Sequence, residues 1–228
     1  MQYWTLIEAA PIPGSTEELR LMQRGTEFAI NLGRELLMGS RMRGSEEALA
    51  RLGCADALTR GTSFRLLIGG LGMGFTLRAA LDLLGPAASV EVAELVTAVV
   101  GWVRGPLAHL SGDALADPRV RVHQADVAQP IRAARGIYDA ILLDVDNGPQ
   151  GLTRDGNEAL YSLAGLRAAW TALAPGGALA VWSAFPDRAF SQLLARAGFI
   201  VAEHTVRAHG KKGARHMIWV AARPGRTA

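Results

Sequence analysis

From Phe64 onward the chain alternates short, continuously apolar runs with longer segments whose apolar positions recur every three or four residues. The runs at 64–68, 89–92, 120–123, 138–143 and 178–182 predict strands buried on both faces, and the helical periods fall at 75–84, 95–110, 157–173 and 186–197. Pro186 stands in the first turn of the last helix, where its missing N–H breaks no bond. Two further strands, 200–206 and 216–221, follow with no helix between them. The pattern predicts an α/β fold: a seven-stranded, doubly wound, Rossmann-like sheet closed by a terminal antiparallel hairpin. Upstream, short apolar or alternating runs at 3–8, 27–31 and 34–38 are separated by Pro11, Pro13, Gly14, Gly25 and Gly33, which predicts a few small strands. Ser45 as an N-cap, with Glu46 and Glu47 in the first turn, opens a helix over 48–58 that Gly61 terminates. The chain thus divides into a small β-rich extension, residues 1–43, and an α/β domain, residues 44–228.

Composition narrows the classes. Of 228 residues 50% are hydrophobic and 20% charged, too apolar for a disordered chain. The net charge of +3 comes from arginine, since Lys211 and Lys212 are the only lysines, and it does not make a nucleic-acid-binding surface. One cysteine, Cys54, excludes an internal disulfide framework and a cysteine zinc site, and fits a reducing cytoplasm. Residues 1–10 lack the basic and apolar regions of a signal peptide. The most apolar stretch, 90–103, carries Glu91 and Glu94 and falls short of the ~20 residues that span a bilayer. The expectation is a soluble, cytoplasmic protein with no membrane partner.

Candidate chemistry gathers where the predicted strands end. Gly69, Gly70, Gly72 and Gly74 lie between the first core strand and its helix, where doubly wound sheets bind ligands and where backbone must approach them closely. The spacing is not G-x-G-x-x-G, because Phe75 takes the third glycine's place, which favours a nucleoside without a pyrophosphate. Glu91, at the end of the second strand, is placed to accept ribose hydroxyls; the alternative is that Glu91 or Glu94 serves the first turn of the next helix. Asp126 is placed for an adenine amine or for capping a short helix from Val127. Asp144 ends the fourth strand beside the glycine loop, where a carboxylate can hold a cation or take a proton. Asp146 is a second catalytic candidate, although Asp146 and Asn147 also suit a turn before Gly148. The segment 209–216 reads as a solvated hairpin turn or as a basic cap over the site. His204, His209 and His216 lack metal-ligand spacing, no nucleophile elbow occurs, and no metal is assigned.

These residues resemble the spermidine-synthase-like branch of the class I S-adenosylmethionine-dependent transferases, across roughly residues 45–222. The resemblance rests on the loop 69–74, Val90-Glu91-Val92, Asp117-Pro118-Arg119-Val120, Asp126, the run 139–144, Leu160-Tyr161 and Ala174-Pro175-Gly176-Gly177. It implies a methyltransferase-type sheet, a β-rich N-terminal part, a homodimer, Glu91 on ribose, Asp126 on adenine, and Asp144 in the place of the catalytic aspartate. The chain departs from the branch at the acceptor side. Gly72 replaces a loop aspartate that holds the aminopropyl ammonium, and Ala50 and Arg51 replace a tyrosine and a glutamine that face the polyamine. The second acidic position is shifted to Asp146, and residues 206–215 offer no match for a late tyrosine. The resulting expectation is methyl transfer from S-adenosylmethionine to a small acceptor. The alternatives are aminopropyl transfer from decarboxylated S-adenosylmethionine to an amine, and a non-catalytic nucleoside-binding dimer. RNA methylation has only the basic pI and the cluster at 211–215 behind it, and nucleic acid is not an expected partner.

Overall fold

The computed structural model describes residues 2–58, 63–145, 149, 159–209 and 212–225. Its N-terminal sheet is a four-stranded antiparallel meander, paired in chain order: β1 (Thr5–Pro11), β2 (Glu18–Arg24), β3 (Glu27–Leu32) and β4 (Glu35–Gly39). The sequence pattern predicts three of these strands and passes over β2. Its alternation is real, with Leu19 and Leu21 buried and Arg20 exposed, but flanking charges hide it in a composition-weighted reading.

Helix α1 (Gly44–Gly53) corrects the predicted cap. Arg43 holds the N-cap position without a side-chain bond, and Ser45 lies inside the first turn, buried, donating its hydroxyl to Glu46 Oε2 at 2.7 Å. The remaining helix stops at Gly53, and Ala55–Leu58 is a short 3₁₀ turn rather than its continuation.

The main sheet is built from β5 (Arg65–Gly69), β6 (Ser89–Ala93), β7 (Val120–His123), β8 (Tyr138–Leu143), β9 (Leu173–Ser183), β10 (Ile200–His209) and β11 (Lys212–Ala222). Between them run α2 (Phe75–Leu83), α3 (Thr97–Arg104), α4 (Ala128–Ala133), α5 (Leu163–Ala172) and α6 (Arg188–Arg196). Three helices are shorter than their sequence periods. Gly105-Pro106 breaks α3, so Ala108–Leu110 is a 3₁₀ turn, and α5 begins at Leu163 after Ser162 caps it through Gly165 N–H. Helix α6 starts at Arg188 because Asp187 Oδ1 accepts from the N–H groups of Ala189 and Phe190; Pro186 therefore precedes the cap.

Strand order is β10-β11-β9-β8-β5-β6-β7, with β5–β9 parallel and β11 antiparallel to both neighbours. Side chains alternate between the faces. Leu66, Ile68, Val90, Val92, Ala140 and Leu142 pack toward α1, α2 and α3, whereas Leu67, Ile141, Leu143 and Leu179 pack toward α4, α5 and α6. Each fully buried aliphatic contributes about 1.5–3 kcal/mol of transfer free energy, before chain entropy is set against it. The meander joins the first of these cores through Leu21, Phe28 and Ile30, and Trp102 Nε1–H donates to Glu8 Oε2 at 2.8 Å, fixing β1 to α3. No helix among the described residues is long and apolar enough to cross a membrane.

The order reverses at β5, whose neighbours β6 and β8 are reached by crossovers in opposite directions. Chain ends diverge there and leave a crevice at the carboxyl ends of the strands. The meander covers this crevice from the side of α1.

Candidate active site

Two loops meet at the switch point. Asp144 N–H donates to Gly69 carbonyl at 2.9 Å, which brings the end of β8 against the start of the glycine loop, and Gly70 N–H donates to Ala93 carbonyl at 2.9 Å at the end of β6. Gly70 has φ +87°, and a Cβ there would run into the backbone carbonyl of Asp144. Gly72, with φ +51°, faces Met38 of β4: a Cβ would lie 2.9 Å from its sulfur. Met73 N–H also donates to Met38 Sδ at 3.2 Å, so the meander touches the loop directly. Gly70 and Gly72 line the cavity, whereas Gly69 serves tight packing against Val127 and Leu143, and Gly74 begins α2.

The cavity has a volume of about 370 Å³, within the ~300–1,000 Å³ typical of small-molecule sites. One side is apolar, made by Ile12, Leu19, Ile30, Leu36, Met38 and Met42. Four carboxylates also line it, those of Glu46, Glu94, Asp126 and Asp144, and no arginine or lysine does so among the described residues. Trp182 and His216 lie against each other at its edge, ring centroids 4.8 Å apart and 33° between planes, and burial lowers the His216 pKa, favouring the neutral ring.

Each acid is held differently. Asp144 Oδ2 accepts from Thr76 Oγ1–H at 2.7 Å; burial raises its pKa and that hydrogen bond partly offsets the rise. Burial, and next the charge of Asp144, hold the Glu46 carboxyl above the ordinary carboxylate range. Val127, not Asp126, holds the N-cap position of α4; Asp126 lies one residue earlier, accepts from Ala128 N–H at 2.8 Å, and lines the cavity. Glu94 bridges two loops: Oε2 accepts from Leu71 N–H at 2.9 Å and Oε1 from Val96 N–H at 2.8 Å.

Glu91 lies elsewhere. It shares a register with Leu67, on the sheet face of the second core, and Oε2 meets His123 Nε2 at 3.0 Å and accepts from Tyr138 O–H at 3.2 Å. It does not line the cavity. The acid at the crevice is Glu94, beyond the strand end; the sequence signal that finds it is position, since ligands sit outside the carboxyl ends of strands. Glu46, Thr76 and Met38 are likewise brought to the site without having been singled out for it. Arg51, aligned with the family's acceptor-facing glutamine, is exposed on α1 and does not line the cavity. Asp146 lies outside the described residues, as does Lys211; Ala214 and His216, from the predicted cap, line the cavity.

A glycine loop at the switch point of this strand order, with acids at the ends of β6 and β8, defines the class I methyltransferase fold in its spermidine-synthase-like form. Spermidine synthase from Thermotoga maritima superposes with a TM-score of 0.76 at 16% identity, over 97% of this chain and 73% of that one. A spermidine synthase in complex with the transition-state analogue AdoDATO gives 0.74 at 17% identity, over the same shares of 97% and 73%. TrmN from Thermus thermophilus gives 0.56 at 27% identity, over 78% of this chain and 48% of that one. No protein-family model and no curated protein matches the sequence.

Proposed function

We propose that the chain is an enzyme that binds S-adenosylmethionine and transfers its methyl group to a small acceptor. The observation that carries this reading is the meeting of the glycine loop with the buried Glu46 and Asp144 carboxylates in one cavity. The donor set fits an adenosyl sulfonium: Gly70 and Gly72 allow close backbone approach, and of the lining acids Asp126 takes the adenine amine and Glu94 the ribose hydroxyls in place of Glu91. When bound, the donor supplies an electrophilic carbon on positively charged sulfur. The carboxylates of Asp144 and Glu46 then attract that charge and accept the proton of the acceptor's nucleophile, while the apolar meander wall excludes water and orients the acceptor. A cytoplasmic homodimer completes the reading.

Methyl transfer is preferred because the loop position of an ammonium anchor presents Gly72 covered by the Met38 thioether. Aminopropyl transfer from decarboxylated S-adenosylmethionine is the second reading, favoured by the purely acidic charge of the described lining and by the likeness to spermidine synthases. Parallel calorimetry separates them, since the two donors differ by one carboxylate. A tenfold preference for S-adenosylmethionine, about 1.4 kcal/mol, supports methyl transfer, and the same margin for the decarboxylated form overturns it. Tight binding with no turnover of any acceptor would leave a nucleoside-binding protein.

The assignment of ribose has its own test. Glu94→Gln is expected to weaken S-adenosylmethionine binding about tenfold or more, because one acceptor is lost and the loop bond is disturbed, whereas Glu91→Gln should stay within about twofold. The reverse ranking would return the ribose contact to Glu91.

A further inference from the structure

Helix α1 carries two consecutive acids that the fold treats oppositely. Glu47 is partly exposed and pairs with Arg43 at 3.3 Å; Glu46 is buried, fixed by the Ser45 hydroxyl, and lines the cavity with Asp144. Favourable charge at a helix N-terminus needs only an exposed acid, and Glu47 supplies it. Burying a second carboxylate beside another costs free energy, which the bonds from the Ser45 hydroxyl and the Glu46 N–H offset only in part, since its pKa stays raised.

Resting on the adenosyl-donor reading, we propose that Glu46 and Asp144 together hold one shared proton in the free enzyme and that the cationic donor expels it, making Glu46 the residue that favours sulfonium donor over uncharged thioether product.

Two buried carboxylates lining one cavity resist ionising together unless a cation joins them. Among the described residues, the packed elements place no cation on the pair. Glu47 on the same helix repels further, Arg78 of α2 is engaged by Asp82, and β9 carries no ionisable side chain. Arg207 of β10 donates to the Gly213 carbonyl, His216 of β11 is driven toward neutrality, and Asp139 of β8 accepts from Arg65 N–H at the other end of the strand. Glu94 and Asp126 add charge of the same sign across the cavity. A sulfonium is therefore the missing counter-charge. On transfer, the acceptor's lone pair forms the new bond to carbon, the carbon–sulfur bond breaks with its electrons on sulfur, and the acceptor's proton returns to the carboxylate pair. The thioether carries no sulfonium charge, so the protonated pair no longer holds it, and product release restores the starting state.

Calorimetry in two buffers of different ionisation enthalpy reads the proton directly. The probes are S-adenosylmethionine with S-adenosylhomocysteine, and decarboxylated S-adenosylmethionine with methylthioadenosine. Wild-type protein at roughly pH 6.5 is expected to release about one proton per bound donor and almost none per thioether. Glu46→Gln should abolish the release and narrow the donor-over-thioether ratio about tenfold, while Glu47→Gln changes neither. Donor binding without proton release from wild type, or release undiminished in Glu46→Gln, overturns the proposal and leaves the transferase reading intact. Failure of all four ligands to bind overturns both.

Discussion

Asp144→Asn is expected to melt at a higher temperature than the parent protein at pH 7 and yet to lose about 10²–10⁴-fold in turnover, read as thioether formed from the donor. Both effects have one cause. Burial raises the Asp144 pKa above its unfolded value, so the folded state keeps a proton that the unfolded chain has already released. Below the ordinary carboxylate range both states are protonated and the penalty vanishes. As pH rises from about 4, the unfolded state ionises first and the parent loses stability, until the folded group ionises too. Asparagine retains an oxygen for the Thr76 hydroxyl and carries no charge, so its melting advantage should be small near pH 4 and grow toward neutrality. Thermal scans across that range check the sign. An advantage that is constant with pH would mean that Asp144 is not a destabilising buried acid.

Gly70→Ala is expected to cost about 3 kcal/mol or more and to abolish donor binding. Left-handed backbone at φ +87° costs an alanine about 1–2 kcal/mol, and the collision with the Asp144 carbonyl adds an overpacking cost of about 1–3 kcal/mol. Relief requires the loop and the end of β8 to part, which displaces the carboxylate as well. Gly112→Ala separates these contributions: its φ is +57°, but the nearest atom to a new Cβ is Arg78 Cδ at 3.8 Å, so it should cost only about 1–2 kcal/mol. Urea denaturation of the two variants checks the difference. Equal losses would remove the steric argument.

The sheet was legible because its central strands, such as β5 and β8, are buried on both faces and leave continuous apolar runs, while the edge strands β7 and β10 were found from shorter, mixed runs between them. Strand β2 was not, because an edge-of-core strand with Glu18, Arg20 and Arg24 differs from a polar loop only by the spacing of Leu19 and Leu21. Asp144 and the glycine loop could be read because their chemistry lies in adjoining chain positions and follows strand ends. Glu46 could not: its approach to Asp144 depends on how α1 docks, a contact across nearly a hundred residues of chain. Met38 against Gly72 is hidden for the same reason. Glu91 shows the limit of spacing rules, since three residues move a side chain from the crevice to the sheet face.

The cavity's two halves come from parts of the chain with separate pairing. The meander's strands form ladder pairs only with one another, and the loops bearing Glu94, Asp126 and Asp144 hang from the parallel sheet. Ile12, Leu19, Ile30 and Leu36 can therefore change size without altering any ladder bond of the parallel sheet. On the transferase reading proposed above, such an arrangement would let this wall set which acceptor is modified while the loops opposite it hold the donor.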